Sequence, residues 1–359
     1  MKRLNAAEKS RYHRHLILPN FGMEGQLKLK SARVLVVGAG GLGCPVLQYL
    51  AAAGVGNIGI VDFDVVEESN LQRQILYSVA DVGLPKVEVA KRKLLALNPH
   101  ISVTTFQEKL TSENIERIFE NFDIVADGTD NFDTRYLIND ACVLFDKINV
   151  FGSIFRFEGQ VAVFNYLLKD GSRSTNYRDL FPEPPEAGLI PNCAEGGVLG
   201  VLPGIIGAMQ ANEVIKVITG VGEPLVNCFY TFDASDLFAQ TLKIKKNPKV
   251  KIRRLPESSE RSCAMPVATI SAKAVKKMIA ENVDFQLIDV RERSEYEVKN
   301  IGGELIPLGR ILEEQNKIAK DKQVVIFCQS GKRSRKAIEL LQAVGFENLW
   351  SLEGGILEM

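Results

Sequence analysis

One short stretch near the C-terminus carries residues whose types and spacing could do chemistry. "CQSGKRS" (328–334) places Cys328 directly before a polar turn and the cations Lys332 and Arg333. Backbone N–H groups and nearby cations generally lower the pKa of a thiol and make it a nucleophile. Such a thiolate could attack phosphate or carry sulfur, whereas a buried structural cysteine at the end of "QVVIFC" is the alternative. The loop alone leaves all three interpretations open.

A second stretch, "GAGGLG" (38–43), predicts a nucleotide site. Gly38, Gly40 and Gly43 satisfy G-x-G-x-x-G between an apolar run typical of a strand and one typical of a helix. This pattern gives a tight turn, a close approach of backbone to phosphate, and a helix N-terminus that faces the anion. Asp62 follows the next predicted strand, where a carboxylate can bind ribose hydroxyls. Taken alone, the pattern fits an NAD-dependent dehydrogenase.

Further polar residues favour a nucleoside triphosphate over NAD. They come from "DFD", "NLQRQ", "GLPKVE" and "GTDN", and are Asp64, Asn70, Arg73, Gln74, Lys86 and Asp130. Two cations and extra carboxylates suit a triphosphate with Mg²⁺, because the cations stabilise the charge that develops as pyrophosphate leaves. Each charge alone is typical of a solvated surface, so the prediction depends on their joint spacing.

These residues need a scaffold, and the hydrophobic pattern predicts an α/β fold. Residues 32–64 have the pattern strand, glycine turn, helix, strand; residues 84–97 have helical spacing, and "FDIVADGTDN" (122–131) is another strand before a polar loop. Strands that alternate with helices predict a Rossmann-like, doubly wound, ATP-binding domain. "GQVAVFNY" and "NCFYTFDA" predict an antiparallel extension, and residues 200–219 predict a long buried helix.

The composition changes after this part of the chain. "KIKKNPKVKIRRLPESSERSCAMP" is charged and interrupted by prolines, which is typical of a linker. Beyond it, "FQLIDVRERSEY" and "KQVVIFC" are two strands flanked by helical segments, which predicts a small second α/β domain. We therefore predict domains at residues 1–245 and 265–359, joined by a linker at 246–264.

Composition narrows the class of protein. With 359 residues, of which 46% are hydrophobic, the chain can form two or three domains. Its 44 Lys and Arg balance 44 Asp and Glu, and no run approaches the roughly 20 apolar residues of a membrane span. Six scattered cysteines without a C-x-x-C pair fit reduced thiols. We expect a cytoplasmic protein that binds neither nucleic acid nor membrane.

The motifs of the first domain also occur in a known order. "RYHRHLIL", "GAGGLG", "DFD", "NLQRQ", "PKVE" and "TDN", between residues 8 and 245, resemble the ubiquitin-activating-type adenylyltransferases, the MoeB, ThiF and HesA group. The resemblance implies a homodimer that uses ATP to adenylate a ubiquitin-fold sulfur carrier (MoaD/ThiS type) ending in Gly-Gly. The pathway implied is molybdopterin or thiamine biosynthesis.

The same resemblance implies roles for individual residues. The implied ATP site consists of Arg14, Gly38, Gly40, Gly41, Gly43, Asp62, Asp64, Asn70, Gln74 and Asp130. Asp62 would hold the ribose, Asp130 would bind Mg²⁺, and Arg14 would reach phosphates across the dimer. Arg73, Lys86 and Asp130 would be catalytic. Cys193, in "PNCAEGGVLG", matches a cysteine that receives the acyl group in some members, and a structural cysteine is the alternative.

The chain departs from this family where most members bind zinc through two C-x-x-C pairs. Asn176 and Asp179 occupy the places of the first pair, and Val250 and Arg253 fall at the second. Valine and arginine are not zinc ligands. We therefore predict that the protein has no zinc site.

The second domain resembles the rhodanese, or sulfurtransferase, family. "LIDVRERSEYEVKNIGGELIPL", "CQSGKRS" and "LEGGI" occur in family order, although Asn300 replaces the usual histidine. Phosphatases of the related fold have an arginine after the cysteine and five residues, where Ser334 stands here, so the loop favours sulfur over phosphate. The resemblance implies that Cys328 receives sulfur as a persulfide from a donor such as a cysteine desulfurase.

Together the two resemblances predict an ATP-dependent adenylyltransferase that also transfers sulfur to give a thiocarboxylate. Two other hypotheses remain open at this point. One is a non-catalytic, carrier-binding scaffold or regulatory protein with degenerate domains. The other is the dehydrogenase, which has no use for Lys86 together with Arg73.

Overall fold

The computed structural model describes residues 3–185, 197–256 and 267–359. The chain forms two compact units, residues 1–258 and 259–359, and each contains one β-sheet with helices on it. Within the described ranges, no helix is both long and apolar enough to cross a membrane. The predicted mixed α/β architecture is confirmed.

The sheet of the first unit has eight strands in the order β3-β2-β1-β4-β5-β6-β7-β8. Their bounds are β1 Arg33–Val37, β2 Asn57–Val61, β3 Ser102–Phe106, β4 Ile124–Asp127, β5 Ile148–Phe155, β6 Glu158–Phe164, β7 Cys228–Asp233 and β8 Ala239–Lys243. Strands β1 to β5 are parallel, and β6, β7 and β8 continue the sheet antiparallel. The predicted doubly wound sheet with an antiparallel extension is confirmed.

Helices precede the first strand and connect later strands of the first unit. Their bounds are α1 Ala6–Arg11, α2 His13–Leu16, α3 Gly22–Ser31, α4 Gly43–Ala53, α5 Lys86–Leu97, α6 Ile115–Phe119, α7 Phe132–Leu144, α8 Tyr177–Leu180 and α9 Leu202–Thr219. Asn131 begins α7 by accepting a hydrogen bond from the backbone N–H of Thr134, at 2.9 Å. The cap fixes where the loop after β4 ends.

The central strand β1 is buried on both faces, as expected for a parallel sheet covered by helices. Val34 and Val36 pack on one face in a core with α4, α5 and α9. Leu35 and Val37 pack on the other face in a core with α6 and α7. The carboxyl ends of β1, β2 and β4 are therefore held rigidly side by side, where binding sites of such sheets lie.

The second unit has five parallel strands in the order β11-β10-β12-β13-β9. Its elements are β9 Ala268–Ile270, α10 Ala272–Ala280, β10 Phe285–Asp289, α11 Arg293–Val298, β11 Glu304–Leu305, β12 Gln323–Phe327, α12 Lys332–Ala343 and β13 Leu349–Leu352. Val324 and Ile326 of β12 enter one core, while Val325 and Phe327 enter the core on the opposite face. Residue 328 thus lies at the carboxyl end of a strand buried on both sides.

Asp179 joins two segments of the first unit that are distant in sequence. Its Oδ2 accepts from the backbone N–H of Asn176 at 2.8 Å, which closes a capping box on α8. Its Oδ1 accepts from the backbone N–H of Asn247 at 2.8 Å. Leu255, also inside the predicted linker, packs against the core that contains α6 and α7. Where the domains end stays a prediction.

Candidate functional sites

The turn after β1 can be built only with glycine at two positions. Gly38 has φ +91°, in the left-handed region, and an added Cβ would lie 3.0 Å from the carbonyl oxygen of Gly128. A Cβ at Gly43 would lie 1.9 Å from the carbonyl oxygen of Gly38. Helix α4 begins at Gly43, so its free N–H groups face the turn, an arrangement that suits an anion.

This turn forms one wall of a cavity of about 210 Å³. Nine of the residues predicted to bind ATP or to act in catalysis line it: Gly38, Gly40, Gly41, Asp62, Asp64, Arg73, Gln74, Lys86 and Asp130. Asn70 is buried and, like Gly43, does not line the cavity. Arg14 is exposed on α2 and does not line it either. The structure therefore brings most of the predicted residues around a single space.

Asp62 fixes the shape of the turn. Its two carboxylate oxygens accept from the backbone N–H groups of Ala39 at 2.7 Å and Asp64 at 2.8 Å. Burial raises the pKa of Asp62, and the positive charge of Lys86 acts in the opposite direction. Lys86 is buried and its Nζ lies 3.0 Å from Oδ2 of the half-exposed Asp64. A cation is thus held at the cavity wall by a carboxylate.

Three side chains at the cavity are available for hydrogen bonds or charge interactions with a bound nucleotide. Oε1 of Gln74 is buried and has no hydrogen-bond partner among the described residues. The Arg73 guanidinium donates to the carbonyl oxygen of Ser69 at 3.2 Å and forms no ion pair within the described ranges. Asp130 is exposed. An unsatisfied acceptor, a cation and a carboxylate fit ATP with Mg²⁺, which usually binds one or two carboxylates plus phosphates.

In the part of the chain that the structure describes, no group of three His, Cys, Asp or Glu residues could hold a metal ion. At the place where most relatives were expected to bind zinc, Asp179 is engaged by backbone N–H groups of Asn176 and Asn247 instead. The absence of zinc stays a prediction.

The sequence analysis missed two buried charged residues behind the Asp130 loop. Oδ1 of Asp127 accepts from the backbone N–H and the hydroxyl of Thr129, at 3.0 and 2.6 Å. Burial raises the pKa of Asp127, against the effect of the Arg135 charge. Arg135 lines the cavity and donates to the carbonyl oxygen of Thr129 at 3.2 Å and to Oγ of Ser153 at 3.1 Å. Both residues hold the loop that carries Asp130.

The sequence signal for Arg135 was limited to its type and position, a cation shortly after the loop that carries Asp130. It follows Asp130 by five residues on α7, and its guanidinium lies 5.1 Å from the ring centroid of Phe151 and 5.4 Å from that of Phe132. A buried arginine on a largely apolar helix face usually has a specific partner. The partner here is the loop backbone, which no sequence pattern shows.

The second candidate site surrounds Cys328, which follows β12 directly. Its side chain is only 1% exposed, and Sγ lies 3.9 Å from Oγ of Ser334. Its carbonyl oxygen accepts from the backbone N–H of Ile356 at 2.8 Å. Gly355 has φ +64°, and a Cβ there would lie 2.4 Å from the same carbonyl oxygen. The "LEGGI" turn therefore packs directly against the cysteine loop.

One of the two cations in the cysteine loop is paired with a carboxylate of a neighbouring helix. Arg333 donates twice to Glu295 on α11, at 2.6 and 2.7 Å. The Arg333 hydrogen bonds hold the pKa of Glu295 below its usual value. The Arg333 charge is therefore compensated in this structure, while Lys332 is exposed.

Arg291 ties the "DVRE" segment to the cysteine loop. It forms a fully buried ion pair with Asp289 and donates to the carbonyl oxygen of Lys299 at 2.7 Å and to Oε1 of Gln329 at 3.5 Å. Asn300, at the usual histidine position, is exposed and donates to the carbonyl oxygen of Tyr296 at 3.2 Å. The Asn300 side chain therefore hydrogen-bonds to the backbone of α11.

Most other cysteines in the described part of the chain are unsuited to nucleophilic chemistry. Burial raises the pKa of Cys44 to about 12 and that of Cys142 well above its usual value. Cys228 is half-buried on β7. Cys193 lies outside the described residues, so its predicted role as acyl acceptor stays a prediction.

Fold and sites together define a class of protein: a nucleotide-binding unit whose cations suit a triphosphate, followed by a parallel α/β unit with a cysteine loop. The chain matches the ThiF family over residues 12–252 and the rhodanese-like domain over residues 271–359. It belongs to the ThiF family and carries a C-terminal rhodanese-like domain, as its motifs predicted.

Known proteins resemble the chain over most of its length. It is 44% identical to the probable adenylyltransferase/sulfurtransferase MoeZ of Mycobacterium tuberculosis, over 99% of this chain and 93% of that protein. It is 52% identical to the sulfur carrier protein adenylyltransferase of Thermus thermophilus, over 67% of this chain and 89% of that protein. It is 38% identical to the adenylyltransferase and sulfurtransferase MOCS3 of Drosophila virilis, over 98% and 83%.

Solved structures show the same fold. A crystal structure of E. coli MccB with ATP has a TM-score of 0.57 and 22% identity, and covers 70% of this chain and 82% of that one. Another MccB crystal structure, with MccA-N7isoASN, has a TM-score of 0.60 and 24% identity, over 69% and 75%. At this level of identity the likeness is one of fold.

Proposed function

We propose that this protein adenylates the C-terminal glycine of a ubiquitin-fold sulfur carrier with ATP and then transfers sulfur to give a thiocarboxylate. The observation that carries the proposal is the cavity at the glycine turn, which is lined by the cations Lys86 and Arg73 together with two exposed carboxylates, Asp64 and Asp130. A dinucleotide site for NAD needs neither cation. The names of relatives that span the whole chain point the same way.

In the adenylation step, a carboxylate oxygen of the carrier attacks the α-phosphorus of ATP. The bond from this phosphorus to the bridging oxygen breaks, and pyrophosphate leaves with the electron pair. Arg73 and Lys86 stabilise the negative charge of the leaving group. Asp130 would hold Mg²⁺, which supplies Lewis-acid stabilisation of the phosphates. Asp62 orients the ribose while it keeps the glycine turn in place.

In the sulfur step, Cys328 first receives a sulfur atom. Its thiolate attacks the terminal sulfur of a donor persulfide, such as that of a cysteine desulfurase, and the donor thiolate leaves. The resulting persulfide attacks the acyl carbon of the adenylate, and AMP leaves with the electron pair. A thiolate then attacks Sγ of Cys328, the S–S bond breaks, and the carrier is released as a thiocarboxylate. An external thiol reduces the disulfide that remains. The attacking thiolate is external. Cys193 is the candidate for an intermediate acyl acceptor, which would take the acyl group from the adenylate, with loss of AMP, before the persulfide attacks it.

The assembly and setting of the protein are part of the same proposal. Arg14 is exposed and does not line the cavity of its own chain, which is what a residue that serves a second subunit requires. We infer a homodimer, a cytoplasmic location, and a carrier that serves molybdopterin or thiamine biosynthesis.

Adenylation is tested by carrier-dependent exchange of labelled pyrophosphate into ATP. We expect exchange with a carrier ending in Gly-Gly and none when its last glycine is removed. Lys86→Gln should reduce exchange about 100-fold or more, because a cation acting on the leaving group is lost. Lys91→Gln, on the same helix α5, is the matched control and should leave exchange unchanged. No exchange with any ubiquitin-fold carrier would refute the proposal.

Sulfur transfer is tested by mass spectrometry of the carrier after incubation with the protein, ATP and a persulfide donor. We expect a mass gain of one oxygen-to-sulfur replacement with the wild type and its loss with Cys328→Ala. Cys228→Ala removes a thiol from a strand of the first unit and should keep the yield. An equal yield with Cys328→Ala would remove Cys328 from the mechanism.

A further inference from the structure

Two serine side chains lie beneath the cysteine loop, and neither the motifs nor the proposed chemistry uses them. Ser334 is fully buried on the first turn of α12, and Ser351 is 1% exposed on β13. Their Oγ atoms are 2.8 Å apart, and Oγ of Ser334 lies 3.9 Å from Sγ of Cys328. The three side chains form a polar line inside an otherwise apolar core.

Each serine hydroxyl group has one proton, so each can donate a single hydrogen bond. Oγ of Ser334 lies 3.1 Å from the carbonyl oxygen of Gly331, which can only accept. The hydroxyl of Ser351 has Ser334 as its one side-chain partner among the described residues, so Ser351 donates to Ser334. The single proton of Ser334 is then directed either to Gly331 or to Cys328.

Whether Ser334 donates to Gly331 or to Cys328 depends on whether Cys328 is a thiol or a thiolate. A neutral thiol can donate its own proton to Oγ of Ser334, whose proton then goes to Gly331. A thiolate has no proton and accepts one hydrogen bond from Ser334 instead. The Gly331 carbonyl oxygen is not left unpaired by this change, because it also accepts from the backbone N–H of Arg335 at 3.3 Å. The rearrangement therefore leaves no buried polar atom without a partner.

We propose that Ser334 donates a hydrogen bond to the Cys328 thiolate and that Ser351 is a positioning residue that orients the Ser334 hydroxyl. The inference rests on the sulfur role of Cys328 in the proposed function. Two buried hydroxyl groups then supply part of the stabilisation of the thiolate, which the sequence alone had suggested for the loop cations. A hydrogen bond to a charged acceptor is stronger than one between neutral groups, and both serines are shielded from solvent, with exposures of 0% and 1%.

Charged groups near the loop are the same in every variant used below. They include Lys332 and Arg333 on α12, Glu295 on α11, Glu292 before it, Asp289 at the end of β10, Arg291 after it, Lys299 beside Ile356, and Glu358 beside Gly354. A change in the behaviour of Cys328 on serine replacement therefore reports on the hydroxyl groups.

The test is the rate of iodoacetamide alkylation at Cys328 as a function of pH, read by peptide mass spectrometry on the full chain. Only the thiolate reacts, so the midpoint of the profile reports its formation. Ser334→Ala should raise the midpoint by about one to two pH units, the equivalent of one hydrogen bond to a charged group. Ser351→Ala should raise it less. Ser330→Ala, on the exposed side of the same loop, is the matched control and should not move it.

An unchanged midpoint in folded Ser334→Ala protein would overturn the proposal. If that variant does not fold, Ser351→Ala decides by the same measurement, and an unchanged midpoint there would also overturn it. The profile requires neither carrier nor sulfur donor. A failure of the proposed function, seen as an unchanged thiocarboxylate yield with Cys328→Ala, is therefore distinguishable from a failure of this inference.

Discussion

Replacing Asp179 with alanine removes the side chain that joins α8 to the segment around Asn247. Two backbone hydrogen bonds to a carboxylate are lost, each 2.8 Å long in the native protein. Loss of a helix cap costs about 1 kcal/mol, and loss of a hydrogen bond to a charged acceptor costs about 1.5 kcal/mol. We expect the free energy of local opening around residue 247 to fall by about 2 kcal/mol, since part of the cost is recovered by water.

Hydrogen–deuterium exchange measured by mass spectrometry tests this expectation. A loss of about 2 kcal/mol corresponds to roughly 30-fold faster exchange in peptides that contain the Asn247 amide. Asp170→Ala is the matched control, because among the described residues the Asp170 side chain accepts from Ser172, two residues away on an exposed turn. A zinc chelator should leave exchange in the wild type unchanged. Equal protection in Asp179→Ala and wild-type protein would refute the view that this carboxylate joins the two segments.

Three further predictions concern other residues. Burial would raise the pKa of Asp81, but its hydrogen bonds, from Lys93 above all, lower it to about 2. Its stabilising contribution, about 2 kcal/mol, is therefore complete above pH 4 and lost as the pH falls toward 2, which urea unfolding of wild type and Asp81→Asn at several pH values checks. Gly43→Ala places a methyl group 1.9 Å from a carbonyl oxygen and should abolish ATP binding in equilibrium dialysis. Arg291→Met leaves Asp289 buried without its partner and should destabilise the second unit by about 3–5 kcal/mol in thermal unfolding.

The fold was largely predictable because its signals are local. Parallel strands buried on both faces appear in the sequence as continuous apolar runs, and β1, β2, β4, β10 and β12 were all predicted from such runs. Six strands were not predicted. They are β3, β5, β8 and β13, which have four to eight residues, and the short edge strands β9 and β11. The strands β9 and β11 have only three and two residues, too few for a periodic pattern.

The candidate ATP site was predictable to the extent that its residues follow strand ends, which the parallel fold brings together. Asp127 and Arg135 were missed because their partners are backbone atoms of a loop, and the direction of a carbonyl group is not encoded in residue types. The pairing of Arg333 with Glu295 was missed for a related reason. The two residues are far apart in sequence, and only the packing of α11 beside the loop makes them neighbours.

The near-complete burial of Cys328 bears on the chemical durability of the protein. Oxidation of cysteine to sulfenic and sulfonic acids requires peroxide to reach the thiolate, and any reagent, peroxide included, reaches a residue that is 1% exposed slowly. A persulfide extends the side chain by one S–S bond of about 2 Å, so the atom that reacts lies further out than the atom that anchors it. Oxidants would then attack the transferable sulfur first, and an external thiol could restore the cysteine beneath it.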